Sequence, residues 1–215
     1  MQVICNNENN PKEVMEKREI VFDITPETKF EEEILMTIEK INETNKRISK
    51  SNYYLNIAQE VAKRGTCLRR LYGAVIVKND EIVATGYVGA PRGRQNCCDI
   101  GTCRKVQLNI PHGERYEMCR SVHAEANAII SAGRSKTIDS TLYLVGLEKE
   151  DHKLVKDADC CSMCKRMIIN AGIKEVIIRT SETEFKTILV NQWISNDDSL
   201  IVISFKKLSP LTFIY

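Results

Sequence analysis

Apolar residues recur at helical intervals twice near the start of the chain. In FEEEILMTIEKINETNKRI, Phe30, Ile34, Leu35, Ile38 and Ile41 fall on one side of a helix. In SNYYLNIAQEVAKRG a second amphipathic helix begins near Ser51, with Ser51 as its N-cap and Gly65 as its stop. The period then changes. YGAVIVKNDEIVATGYVGAP holds two β-branched runs joined by a short KNDE turn, the pattern of a hairpin. From Gly89 to Arg120 no periodicity survives, and so long a stretch in a compact domain is either functional or held by something other than apolar burial. Beyond it helix and strand alternate. The pattern predicts a helix from Ser121 to Ala132 with Gly133 behind it, a strand in TLYLVGL, a helix from about Cys161 stopped at Gly172, and a strand in KEVIIRT. After Thr180, polar SETEF leads into ILVNQWI, and SLIVISF reads as a last strand. A hairpin followed by alternating helices and strands argues for an α/β fold, a mixed sheet with helices on its faces. Residues 1 to about 29, rich in Asn, Glu and Lys and carrying Pro11 and Pro26, are loosely specified.

With 215 residues, the chain is long enough for one substantial domain with appendages. Its charge is nearly balanced, +2 at pH 7, which gives no reason to expect nucleic acid or an acidic membrane surface as partner. The N-terminal MQVICNNENNPKEVMEK lacks a long apolar core, and no later run approaches the ~18 apolar residues of a membrane span. The expectation is a soluble, cytoplasmic protein. In that setting nine cysteines call for an explanation, and metal ligation is more economical than a disulfide framework, which the odd number would leave incomplete. Histidine is scarce, with only His112, His123 and His152 available.

The stretch DADCCSMCKRM places Cys160, Cys161 and Cys164 together, and only Cys161 with Cys164 has C-x-x-C spacing. The pair sits at the mouth of a predicted helix, where residues three apart share a face and the positive end of the helix favours thiolates. Such a pair can bind a tetrahedral metal or act as a redox dithiol. One strand earlier, SVHAEANAII puts His123 and Glu125 in the first turn of another helix. If the two helices point the same way over one edge of the sheet, His123, Cys161 and Cys164 converge. Three protein ligands leave one zinc position open, as in catalytic sites, for water that becomes acidic near neutrality. Glu125, not itself a ligand, is then the carboxylate that shuttles the proton. Each half of this pattern is common alone; their joint occurrence in order, each at a helix start, is the signature of zinc deaminases.

HAEANAI, CCSMCKRMIINAGIKEVII and the upstream GAVIVKNDEIVATGYVGAPRG resemble the deoxycytidylate deaminase family of the cytidine deaminase-like fold, over residues 52 to about 180. The resemblance implies a three-layer α/β/α sandwich with a central mixed sheet, and a division into an N-terminal extension (1–50), a zinc-dependent deaminase domain (51–180) and a C-terminal extension (181–215). It implies hydrolysis of a cytosine nucleotide, dCMP above all, to a uracil nucleotide and ammonia in pyrimidine metabolism. It implies zinc on His123, Cys161 and Cys164, with Glu125 taking a proton from water, protonating ring N3 and helping ammonia leave. It further implies a small-molecule nucleotide partner and a homo-oligomer. Three positions depart from the family pattern. Cys160 stands where proline is usual before C-x-x-C, either as a packed free thiol or as a third thiol near the metal. Val88 replaces an asparagine expected to bond the nucleotide, and the tyrosines expected after the last core strand are absent from RTSETEFKT. These leave another nucleotide, a nucleoside or a modified base as alternative substrates; a zinc-held interaction module without catalysis is the reading from a different class.

Cys67, Cys97, Cys103 and Cys119 resemble a set found in bacterial members with an extra zinc site. Four thiolates on one ion would pin the long 89 to 120 stretch, with Cys98 and His112 as possible substitutes. Free thiols in a reducing cytosol are the alternative, and Cys5 has no assigned role. For a phosphate, Arg92, Arg94, Arg104, Arg115, Arg120 and Arg134 are the cationic candidates.

Overall fold

Two stretches of backbone with nearly unbroken apolar burial form the centre of the sheet. The computed structural model describes residues 29–44, 47–111 and 113–196. The chain divides between Arg47 and Ile48 into two compact units. In the first, helix α1 (Lys29–Thr44) follows the predicted amphipathic segment.

The second unit begins with α2 (Lys50–Lys63), whose N-cap is Ser49 and not Ser51: the Asn52 amide donates to Ser49 Oγ at 3.3 Å. Strands β1 (Arg70–Lys78) and β2 (Glu81–Tyr87) form the predicted hairpin. Its turn uses Asn79 and Asp80, both with positive φ, as a two-residue connection matched to strand twist requires. Next come the short helices α3 (Cys97–Ile100) and α4 (Arg104–Gln107) and a 3₁₀ turn at Tyr116–Met118. The chain continues as α5 (Ala124–Ala132), α6 (Arg134–Thr137), β3 (Thr141–Glu148), α7 (Ser162–Ala171), β4 (Glu175–Arg179), β5 (Phe185–Leu189) and α8 (Val190–Ser195). The expected strand in SLIVISF lies outside the described residues.

The five strands pair in the order β2-β1-β3-β4-β5. Only β3 and β4 run parallel, joined through α7; the other pairs are antiparallel, so the sheet is mixed. Strand β5 and helix α8, beyond residue 180, thus complete the sheet and its cover.

Period-two alternation sends the strands' side chains to two separate cores. On one face Leu71, Val75, Val77, Val145 and Leu147 pack against Leu55, Ala58 and Ala62 of α2. On the other, Ala74, Ile76, Leu142, Leu144, Val176 and Ile178 pack against Ala124 and Ala128 of α5 and Cys164 and Ile168 of α7. Helices on both faces of one sheet give the expected three-layer α/β/α arrangement. Gly86 sets how closely α5 approaches: a β-carbon there would overlap the Ala124 carbonyl and the Ala128 amide nitrogen.

Candidate active site

Helices α5 and α7 pack against each other, and their first residues form the site. His123 is the N-cap of α5, extended at φ −71° and ψ 155°, and Cys161 is the N-cap of α7, at φ −68° and ψ 161°. Helix α5 starts at Ala124 and not at Ser121 because Val122 is held in a two-way backbone bridge. Its amide donates to the Gly89 carbonyl at 2.7 Å, and the Gly89 amide returns a bond to the Val122 carbonyl at 3.1 Å. This bridge fixes the residue before His123 to the end of the hairpin.

His123 Nδ1 stands 3.4 Å from Cys161 Sγ and 3.4 Å from Cys164 Sγ. The three form the one His, Cys, Asp and Glu group among the described residues whose ligand atoms lie close enough to share a metal ion. Tetrahedral zinc, with Zn–S of about 2.3 Å and Zn–N of about 2.0 Å, separates N and S ligands by about 3.6 Å. The donor set and its spacing therefore fit zinc. Cys160 is turned away: it is 3% exposed, packed in the α5/α7 core, with its amide bonded to Asp159 Oδ1 at 2.9 Å.

The protons of the group are unevenly held. The Cys164 thiol bonds to the Cys161 sulfur, which brings Cys161 down to about 4, while the same bond and burial push Cys164 up. Burial alone lowers His123, but its bond to Cys161 and the charge of Glu125 outweigh this and raise it. Glu125, at the second position of α5, is 4% exposed, and burial raises its carboxyl above the usual range.

His123, Glu125 and Cys161 floor a cavity of about 130 Å³ walled by Tyr72, Val88, Lys105, Tyr116 and Asp159. Val88, whose amide donates to the Tyr72 carbonyl at 3.0 Å, does face the cavity, as a substrate-contacting position would. The six arginines that the sequence offers as phosphate ligands do not line it. Arg115 pairs with Glu117 at 3.1 Å, Arg120 and Arg134 donate to the carbonyls of Gln95 and Asn170, and Arg92, Arg94 and Arg104 are exposed. The cations that do line it are Arg69, Arg70 and Lys105. Sequence reasoning misses these three, and Tyr72 and Tyr116 too, because a lone cation or tyrosine outside a motif carries no signal of which way it faces.

Cys67, Cys103 and Cys119 also line the cavity, and each raises Cys97 by its charge, after burial, so the four gather in one region. No three of them come within metal-sharing distance among the described residues. Cys98 is exposed and bonds to Asp99, and His112 and Cys5 lie outside the described residues. All described cysteines are free thiols.

Residues 48–180 match the family model for the cytidine and deoxycytidylate deaminase zinc-binding region. The deoxycytidylate deaminase of Schizosaccharomyces pombe is 33% identical over 149 residues, covering 69% of this chain and 42% of that protein. The deoxycytidylate deaminase of Mycobacterium phage D29 is 35% identical over 130 residues, covering 58% of this chain and 90% of that protein. A crystal structure of dCMP deaminase from cyanophage S-TIM5 in complex with dCMP and dUMP aligns at 25% identity and a TM-score of 0.43, covering 63% of this chain and 85% of that one. The match spans 42% of the length of the relatives from Schizosaccharomyces pombe and Saccharomyces cerevisiae. No helix among the described residues is long and apolar enough to cross a membrane.

Proposed function

The chain belongs to the cytidine and deoxycytidylate deaminase zinc-binding family, and on that premise we propose that it is a hydrolase converting dCMP and water to dUMP and ammonia. The observation that carries this reading is the placement of His123 Nδ1 at 3.4 Å from both Cys161 Sγ and Cys164 Sγ, with the buried Glu125 two residues further on.

In this reading residues 51–180 carry the deaminase chemistry, between an extension at 1–50 and one at 181–215 whose β5 and α8 add to the same sheet. His123, Cys161 and Cys164 would hold zinc, which would supply Lewis acidity that brings the pKa of water toward neutrality. Glu125 moves the protons. Burial raises its carboxyl above the usual range, which favours the proton-bearing form it needs between the two transfers. It accepts a proton as water adds to C4 and delivers it to ring N3, then takes the proton of the new C4 hydroxyl and passes it to the amino nitrogen as the C4–N bond breaks and ammonia leaves. The cavity walls exclude bulk water around that carboxyl, and Tyr116, edge-on to the His123 ring at 5.0 Å, holds the imidazole from one side.

A second zinc on Cys67, Cys97, Cys103 and Cys119 belongs to the same proposal, supported by the charge that Cys97 senses from the other three. Binding would draw the four sulfurs together and tie the 89–120 stretch to the residues before β1. A homo-oligomer is supported by the apolar groove between α5 and α7, where Ile130 is 74% exposed beside Ile129 and Met167. The unpaired thiols suit a reducing compartment such as the cytoplasm.

The test is ammonia release by the zinc-loaded full chain from dCMP, dCTP, CMP, deoxycytidine and cytosine. The expected result is turnover with dCMP preferred. The apolar Val88 in the cavity wall is why dCTP and CMP belong in the panel. Silence across the panel with zinc bound overturns the reading.

A further inference from the structure

The turn that delivers Cys161 to the metal site is tied to α8 by three contacts in series. Cys160 is 3% exposed, so its amide needs an acceptor, and it donates to Asp159 Oδ1 at 2.9 Å. The other carboxylate oxygen, Oδ2, pairs with the Lys165 ammonium at 3.4 Å. That ammonium lies over the Trp193 ring, 5.3 Å from its centroid. Trp193 belongs to α8 and packs against the core that holds Cys160 and Cys164. Helix α8 is itself fixed, because Val190 is buried in that core and its amide donates to the Lys174 carbonyl at 3.0 Å.

Lys165 grips Cys161 from both sides along the chain. Its amide donates to the Cys161 carbonyl at 2.9 Å, and its side chain reaches back past the start of α7 to Asp159. The positive end of a helix disfavours a cation, and α7 has no acidic residue in its first turn to offset one. The Asp159 carboxylate and the face of the Trp193 indole supply that negative potential instead. The Lys165 and Asp159 side chains are 31% and 43% exposed, so their pairing adds little to global stability. Its consequence is orientation. The pair fixes which way the carboxylate turns, and with it the Cys160 amide one residue before the Cys161 ligand.

We propose that Asp159, Lys165 and Trp193 are positioning residues for the metal site, through which α8 tightens the hold of His123, Cys161 and Cys164 on zinc. The inference rests on the zinc reading of that group and gives residues beyond 180 a part in it. A ligand whose outer contacts are loosened samples directions away from the ion, and affinity falls accordingly. The serial arrangement has a further consequence. Lys165 and Trp193 reach the Cys160 amide only through the Asp159 carboxylate, so once that carboxylate is removed they have nothing left to orient, and the losses do not add.

The experiment measures zinc affinity of the full chain by competition with a chelator, for wild type, D159A, K165M, K165R, W193L and the double variant D159A/K165M. The thermal midpoint of the metal-free protein and hydrogen exchange at the Cys160 amide are recorded for each. D159A is expected to weaken zinc binding about 10-fold, and K165M and W193L about 3-fold to 5-fold. Exchange at the Cys160 amide rises in all three, while the metal-free midpoint of D159A and K165M stays close to that of wild type. K165R, which keeps the charge and the ring contact, binds zinc as wild type does, and D159A/K165M binds it as D159A does. Unchanged affinity in K165M, or losses in D159A and K165M that add in full, overturns the proposal. K165M keeps the test open if W193L does not fold, because the Lys165 side chain is partly exposed. Silence of zinc-loaded wild type toward dCMP defeats the deaminase reading and leaves the zinc comparison standing. A wild type that binds no zinc defeats the metal reading, and the Cys160 amide then decides: equal exchange in wild type, D159A and K165M overturns the coupling.

Discussion

Gly86 of β2 lies against the backbone of Ala128 on α5 with no room for a methyl group between them. That contact sets the height of α5 above the sheet, and α5 begins one residue after His123. Gly86→Ala is therefore expected to cost about 1–3 kcal/mol of stability by overpacking and to weaken zinc binding as well. Denaturant unfolding and zinc content measure the two effects. An alanine variant as stable as wild type would mean that α5 is free to shift.

Glu125→Gln keeps the size of the side chain and removes its ability to carry a proton. Turnover of dCMP is expected to fall by about 10²–10⁴-fold with zinc content and thermal midpoint retained. Undiminished turnover would remove Glu125 from the proton path.

Cys160 and its neighbours separate packing from ligation. Cys161→Ala and Cys164→Ala should lose zinc. Cys160→Ala should keep it, at a cost of about 1 kcal/mol for the vacated core space. Cys160→Pro should also keep zinc while losing the amide bond to Asp159. Metal analysis of the four purified variants decides, and zinc loss in Cys160→Ala would make that thiol a ligand.

Burial pushes the Tyr72 phenol up to about 12, against an opposing contribution from Arg70. An unfolded tyrosine titrates near 10, so the folded state holds its proton over a range in which the unfolded state releases it. The stabilisation is complete below about pH 10 and is lost as pH rises to about 12. Tyr72→Phe removes this dependence. Between pH 9 and pH 11.5 wild type should lose on the order of 1–2 kcal/mol more than the variant. Urea unfolding at the two values measures the difference, and parallel losses would contradict the assignment.

For the second zinc, wild type should carry two zinc ions per chain, and Cys97→Ala one, the remaining ion staying with His123, Cys161 and Cys164. A single ion in wild type would leave the four cysteines as free thiols.

The chain's periodicity reveals the frame better than the walls of the site. The strands around β1 and β3 are legible because six or more successive apolar residues have few alternatives, and His123 with Cys161 and Cys164 because their spacing carries a chemical meaning. Ser49 and Ser51 are equally good caps on paper, and only the geometry of the turn selects Ser49. Helices α3 and α4 are single turns of four residues, too short to show a period. Lys105 and Tyr116 look like ordinary loop residues because nothing local records that the fold buries one and sets the other against His123.

The bridge between Gly89 and Val122 closes the stretch that contains α3, α4 and the Tyr116 turn, returning the chain to within one hydrogen bond of where it left the hairpin. In genetic terms this stretch is a cassette. Its ends are anchored on the sheet, and the apolar cores on either face draw none of their residues from it. Substitutions within it, Tyr116 apart, can therefore reshape the cavity wall while the residues of the cavity floor keep their places. The loop part of the cavity wall and the floor that holds His123, Glu125 and Cys161 thus sit on separate segments of one chain and are open to separate selection.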